Sequence, residues 1–213
     1  MVFLLRQEDE MQDAGFHFII IWIGAYLIGS IPFSIIVTRL LRGIDVRSHG
    51  SGHAGATNTM RVAGWLPGIT VMLLDIGKGA LVAWLALRYG GSSTVAWVAT
   101  AMVIVGHCWP IFAEFQGGMG MAAASGALLV FWPLGFVIGI GLAAASQLLV
   151  RHSARANIAT GVLLAPVWLL FGATLPQAGA AMAAGLVVGI RARSDWNREY
   201  RELWFDRQEE DSA

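Results

Sequence analysis

The sequence predicts an all-α fold, a polytopic membrane bundle of about seven transmembrane helices with the N-terminus outside and the C-terminus cytoplasmic. Three observations carry this. Hydrophobic residues fill 56% of the 213 positions and charged residues only 13%, about half the charged share of a soluble domain. Long apolar stretches cover most of Phe16 to Gly189, without the polar outer face a soluble helix requires. The arginines, finally, collect in the first loop, the fifth loop and the C-terminal segment.

Residues 1–15 read as a polar tail. Glu8, Asp9, Glu10 and Asp13 make it acidic where a signal peptide is basic, and no cleavage pattern precedes the first apolar run. A span needs about 20 apolar residues, and seven candidates follow: Phe16–Leu41, Trp65–Arg88, Thr94–Phe112, Met119–Trp132, Leu134–Val150, Asn157–Gly172 and Gln177–Ile190. The fourth is too short to cross lipid straight. It reads as a helix sheltered by its neighbours and ended by Pro133, or as half of one kinked span with the fifth. Small residues such as Gly135, Gly139, Gly141, Ala143 to Ala145, Ala180 and Ala181 allow close helix packing. Residues 16–192 thus form a single membrane-embedded domain, and 193–213 a charged cytoplasmic tail. With Trp196, Tyr200, Trp204 and Phe205 among charges of both signs, that tail suits an interfacial amphipathic helix.

Orientation follows from charge. Arg39, Arg42, Arg47 and Arg61 belong to the first loop or its edge, Arg151 and Arg155 to the fifth loop, and Arg191, Arg193, Arg198, Arg201 and Arg207 to the tail. Seven spans put all of them on one face and leave only Arg6 and Arg88 opposite. The positive-inside rule makes the rich face cytoplasmic; six spans would spoil the segregation. Fourteen basic and fourteen acidic residues balance, so no global field recruits nucleic acid. The single cysteine, Cys108, excludes an intrachain disulfide and a CxxC metal site.

The polar loops carry the chemistry. Gly50-Ser51-Gly52-His53-Ala54-Gly55-Ala56-Thr57-Asn58-Thr59-Met60-Arg61 contains GxGxxG, but that fingerprint has meaning only inside a βαβ unit, and a membrane span precedes it here. Its physical content remains: Gly50 and Gly52 let backbone N–H groups converge on an anion, Ser51, Thr57 and Asn58 add neutral donors, and Arg61 offers a planar fork suited to phosphate. A second glycine turn, Gly117-Gly118-Met119-Gly120, opens the fourth helix and presents N–H groups at its positive end. His107 lies just before it, as an interfacial hydrogen-bonding residue or a base. Asp75 and Lys78, the chain's only lysine, are spaced i, i+3 within the second span. Such ionisable groups mark a functional site or a structural ion pair.

Taken together, Gly29-Ser30-Ile31-Pro32-Phe33, Gly43-Ile44-Asp45-Val46-Arg47, the Gly50–Arg61 string, Asp75-Ile76-Gly77-Lys78-Gly79, Gly106-His107 with Pro110-Ile111-Phe112, and Gly117-Gly118 with Gly120 resemble the bacterial acyl-phosphate:glycerol-3-phosphate acyltransferases. The resemblance runs from about Gly24 to the tail. It implies a seven-span enzyme of the bacterial inner (plasma) membrane, with its active face cytoplasmic. The implied reaction moves a fatty acyl group from acyl phosphate to the sn-1 hydroxyl of glycerol 3-phosphate, giving lysophosphatidic acid and phosphate for phospholipid synthesis. The resemblance assigns Ser51, Asn58 and Arg61 to catalysis. Substrate and phosphate binding would fall to Gly50, Gly52, Thr57, Lys78, His107, Gly117, Gly118, Gly120 and Arg191. An acyl phosphate is already activated, so neither metal nor cofactor is expected; the partners are the two substrates and membrane lipid, and the sequence names no protein partner.

Three departures stand out. The glycine turn reads Gln116-Gly117-Gly118-Met119-Gly120 where the family has KGGKG, His53 stands where the family has Asn, and the C-terminal RHxxN motif becomes Arg191-Ala192-Arg193-Ser194-Asp195. Arg151-His152 with Asn157 belongs to the preceding interhelical loop instead. The lost charges leave an alternative open: a non-catalytic relative that binds a phosphorylated lipid or a partner enzyme.

Overall fold

The computed structural model describes residues 2–198, giving only the backbone for residues 2–14 and for Phe16; Tyr200, Trp204 and Phe205 of the expected tail helix lie outside that range. Nine α-helices and two 3₁₀ turns are found among the described residues, and no strand. In chain order the helices are α1 (Val2–Gly29), α2 (Phe33–Arg42), α3 (Ala56–Ala63), α4 (Trp65–Tyr89), α5 (Ser93–Cys108), α6 (Met121–Phe131), α7 (Pro133–Val150), α8 (Ser153–Leu170) and α9 (Leu175–Arg193). Six stretches are long and apolar enough to cross a bilayer: His17–Arg42, Trp65–Tyr89, Ser93–Ala113, Pro133–Val150, Ser153–Leu170 and Leu175–Arg193. The chain is a multi-pass membrane protein. Leu73, Trp84, Val137, Leu149, Leu170 and Leu186 point outward with large exposed apolar surfaces, which water would penalise and lipid accepts.

Two features of the N-terminal region differ from the sequence expectation. The segment read as a polar tail is helical from Val2 and continuous with the first span. That span then divides at Ser30-Ile31-Pro32 into α1 and α2, because a proline has no N–H to donate and disfavours helical backbone in the residue before it. The break exposes the Ile31 carbonyl, which accepts a hydrogen bond from Lys78 Nζ at 3.1 Å.

The fourth expected span is the 11-residue α6, about 16 Å long at 1.5 Å per residue, roughly half the thickness of the hydrocarbon core. As its length demands, it is sheltered by neighbours, with α4 along one side and α7, α5 and α9 around the rest. Glycines set the closest approaches: a Cβ on Gly126 would overlap the Ile76 carbonyl oxygen, and one on Gly79 the Ala123 carbonyl. A Gly126→Val variant is therefore expected to destabilise the bundle by about 1–3 kcal/mol or more through overpacking. Gly77→Val, on the open side of α4, serves as the control; thermal denaturation in detergent separates the two.

All three arginine-rich segments meet at one end of the bundle. Arg47 Nη1 donates to the Ala113 carbonyl at 3.0 Å, Arg198 Nη2 donates to the Ser51 carbonyl at 2.8 Å, and the Arg155 guanidinium lies 5.0 Å over the Trp196 ring. The segregation that set the sequence-based orientation thus has a structural counterpart.

Candidate active site

The first loop is built from side-chain-to-backbone bonds. Asp45 caps the turn Val46–Ser48 by accepting the Arg47 N–H. Its carboxylate also pairs with Arg47 at 2.9 Å and Arg39 at 2.7 Å. The Arg47 guanidinium holds the Asp45 carboxyl well below the usual carboxylate range, so the pair stays ionised across the physiological range. Beyond it, Gly50 and Gly52 take left-handed backbone, with φ of 56° and 71°, and the segment between them turns back toward α3.

Asn58, in the first turn of α3, ties that bend together. Its Oδ1 accepts the Ser51 N–H at 2.9 Å, and its Nδ2 lies within donating distance of the carbonyls of Val46 and His49, both at 3.0 Å, and of His53 at 3.1 Å. The side chain is 2% exposed. Each of its polar atoms is already engaged by the loop, so the geometry gives it the task of placing Ser51.

Ser51, Thr57 and Arg61 line a cavity of about 470 Å³ with His53, Asp75 and His107. The opposite wall comes from Met119, Gly120, Met121 and Ala122, the start of α6, where the first-turn N–H groups have no intrahelical partner. The Arg61 Nε is buried without a hydrogen-bond partner among the described residues. Buried donors in native structures are normally satisfied, so this N–H has bonding capacity to spare at the cavity. Ser125, Ser153 and Asn157 complete the polar lining. They were not predicted as site residues; only Asn157 had a sequence signal, in its spacing from Arg151-His152.

At Met121, Ser125, Phe136, Ile140 and Asn157 this cavity meets a second, of about 350 Å³, whose walls run past Gly139, Ala143, Gly161 and Leu164 to Trp168. The joint space is polar at the loop end and apolar along α7 and α8.

Other expected binding residues have structural duties. Lys78 pairs with Asp75 at 2.8 Å, with both side chains buried, and it does not line the large cavity. Its second bond, to Ile31, anchors the α1–α2 break, which favours the structural ion pair over phosphate binding. His107 Nδ1 lies 3.4 Å from the same Asp75 carboxylate, and the imidazole reaches the cavity wall. The glycine turn is not a set of free amides: Gly117 N–H donates to the Cys108 carbonyl and Gly118 N–H to the His107 carbonyl. A Cβ on either glycine would strike the backbone or the His107 ring, so their role is close packing. Only Gly120, with φ of 84°, faces the cavity. Gly50 and Gly52 shape the loop without lining the cavity. Arg191 Nε donates to the Gly118 carbonyl at 3.2 Å, and its Nη1 bonds Ser194, so it braces the turn from behind.

Nothing in the local sequence signals the contact between the loop and the C-terminal segment. His53 Nε2 and Asp195 Oδ2 are 2.5 Å apart, with side chains 12% and 6% exposed. Burial pushes the His53 imidazole below its ordinary range, while Asp195 pulls the other way.

Comparison with known proteins places the sequence and the fold. A family model described as glycerol-3-phosphate acyltransferase matches residues 19–202. A glycerol-3-phosphate acyltransferase of Halalkalibacterium halodurans is 40% identical over 156 residues, covering 70% of this chain and 76% of that relative. Glycerol-3-phosphate acyltransferase 2 of Moorella thermoacetica is 52% identical over 110 residues, 52% of this chain and 56% of the relative, so the match spans little more than half of that protein. The crystal structure of PlsY (YgiH), an integral membrane glycerol 3-phosphate acyltransferase in its glycerol 3-phosphate form, aligns with a TM-score of 0.74 at 30% identity, covering 85% of this chain and 91% of that one. Sequence over most of its length and helical architecture agree: the chain belongs to the glycerol-3-phosphate acyltransferase family.

Proposed function

We propose that the protein transfers a fatty acyl group from acyl phosphate to the sn-1 hydroxyl of glycerol 3-phosphate on the cytoplasmic face of a bacterial inner membrane. The observation that carries this is the joint cavity, whose polar end suits phosphates and whose apolar end suits an acyl chain. Few soluble metabolites need both. The acceptor hydroxyl attacks the acyl carbonyl carbon, a tetrahedral oxyanion forms, and its collapse breaks the acyl–phosphate bond and releases inorganic phosphate. The hydroxyl proton passes to a phosphate oxygen, so no serine or cysteine nucleophile is required. Arg61 and the N–H groups at the start of α6 hold phosphate and developing negative charge, while Ser51 and Thr57 orient the acceptor; positioning and preorganised charge supply the acceleration.

The test uses purified protein with acyl phosphate and glycerol 3-phosphate, and assays lysophosphatidic acid and phosphate together. Equal release of both supports transfer; phosphate alone means hydrolysis, and binding without either product supports the non-catalytic reading. In the same assay, Gly139→Leu tests where the chain lies, because its new side chain projects into the apolar cavity beside Leu164. It is expected to lower kcat/KM for long-chain acyl phosphates by roughly 10-fold relative to short-chain ones, the scale of methylene discrimination in an apolar pocket. Equal effects on both would place the chain elsewhere.

A further inference from the structure

The segment Ser51-Gly52-His53 has neither helix nor strand to hold it, and two glycines of left-handed backbone flank or occupy it. Its geometry therefore depends on bonds from outside. Asn58, in the first turn of α3, supplies two of them. The Gly52 N–H donates to the His49 carbonyl, and two more bonds cross from beyond the end of α9: Asp195 grips the His53 side chain, and Arg198 donates to the Ser51 carbonyl. Ser51 and His53 both line the large cavity, so whatever moves this segment moves the polar end of the site.

We infer that the His53–Asp195 pair is a positioning clasp that locks the Ser51 loop against the end of α9 and so sets the acceptor side of the cavity. The inference rests on the acyl-transfer reading for its catalytic consequence, but not for the clasp itself. Two of the chain's departures from the family pattern, His53 and Asp195, meet on one another. An imidazole and a carboxylate bond directly there, so the change reads as a contact made rather than two residues lost.

The chemistry favours a clasp over a titrating base. Burial favours the neutral His53 ring, with Nε2–H donating to the Asp195 carboxylate. Protonation of the ring would add charge yet keep the same donor. The surrounding charges point the same way: Arg191 Nη1 lies 3.9 Å from Asp195 Oδ1, and Arg191 and Arg198 both disfavour an imidazolium. Ser194 Oγ also lies 3.3 Å from Asp195 Oδ1. The carboxylate is held in place while it holds His53.

The experiment compares the full-length protein with His53→Ala, Asp195→Ala, the double alanine variant, and the paired His53→Asn with Asp195→Asn, in which two amides can bond across the same gap. Hydrogen exchange of the peptide covering residues 50–54 reads the clasp without substrate. Each alanine is expected to speed exchange there by roughly 10-fold, the scale of a lost hydrogen bond to a charged group. In turnover, the same variants should lose about 10-fold in kcat/KM for glycerol 3-phosphate with KM for acyl phosphate nearly unchanged. The double alanine variant should be no worse than Asp195→Ala, which already loses the His53 contact along with those to Arg191 and Ser194, and the amide pair should recover most of both losses. Unchanged exchange overturns the clasp, as do multiplicative losses or an amide pair as poor as the alanines; faster exchange with normal turnover overturns its control of the acceptor side. A parent without acyl transfer defeats the functional reading instead, and hydrogen exchange still decides whether the clasp holds the loop.

Discussion

Arg61→Lys is expected to lower kcat/KM by roughly 100-fold or more, the loss typical of removing a preorganised donor from a developing negative charge, although the net charge is unchanged. Arg61 lines the cavity with its Nε buried and without a partner among the described residues. A guanidinium can give that N–H and a neighbouring one to two oxygens of a phosphate, whereas an ammonium is a point charge without the fork. An unsatisfied buried donor also costs stability while the site is empty. Arg61→Met should therefore abolish turnover yet leave the melting temperature of the ligand-free protein unchanged or higher. Steady-state kinetics with thermal denaturation in detergent check both. A lysine variant as active as the parent, or a methionine variant that unfolds readily, would place Arg61 in the framework and leave the phosphate to another group.

Much of this site was legible in the sequence, for identifiable reasons. Apolar length gave α4, α5, α7, α8 and α9 because lipid demands it. The first loop could be read because Gly50, Gly52, Ser51, Thr57 and Arg61 combine turn chemistry with anion donors within a dozen residues. The division of the first span was less visible: Pro32 sits in an apolar run, and nothing local shows that Lys78 will bond the freed carbonyl of Ile31, 47 residues earlier. Gly117 and Gly118 misled for a related reason. A glycine offers the same signal whether its amide is free or its missing side chain makes room for a neighbour, and here the His107 ring and nearby backbone fill that room. His53 and Asp195 lie 142 residues apart, so each looked like a loss until the fold brought them together.

Asn58→Asp is expected to reduce activity at neutral pH by about 100-fold or more while leaving the helices intact. The change is nearly isosteric, and a carboxylate oxygen can still accept the Ser51 N–H, so that bond survives. What disappears is the Nδ2 donor, now replaced by an oxygen facing the carbonyls of Val46, His49 and His53. A negative acceptor buried among acceptors costs several kcal/mol unless it takes up a proton, and the least costly relief is for the loop to open, displacing Ser51. Burial and the surrounding carbonyls both disfavour the charged form, so the new carboxyl should titrate above the ordinary Asp range. Protonated, it regains one O–H donor and part of the native bonding. Activity relative to the parent should consequently rise as pH falls through that raised pKa, with circular dichroism constant throughout. The pH profile separates two roles for this residue. If Asn58 acts by placing Ser51, acid partly rescues the variant; if its amide bonds substrate directly, a neutral carboxyl in a displaced position does not, and the loss persists at every pH.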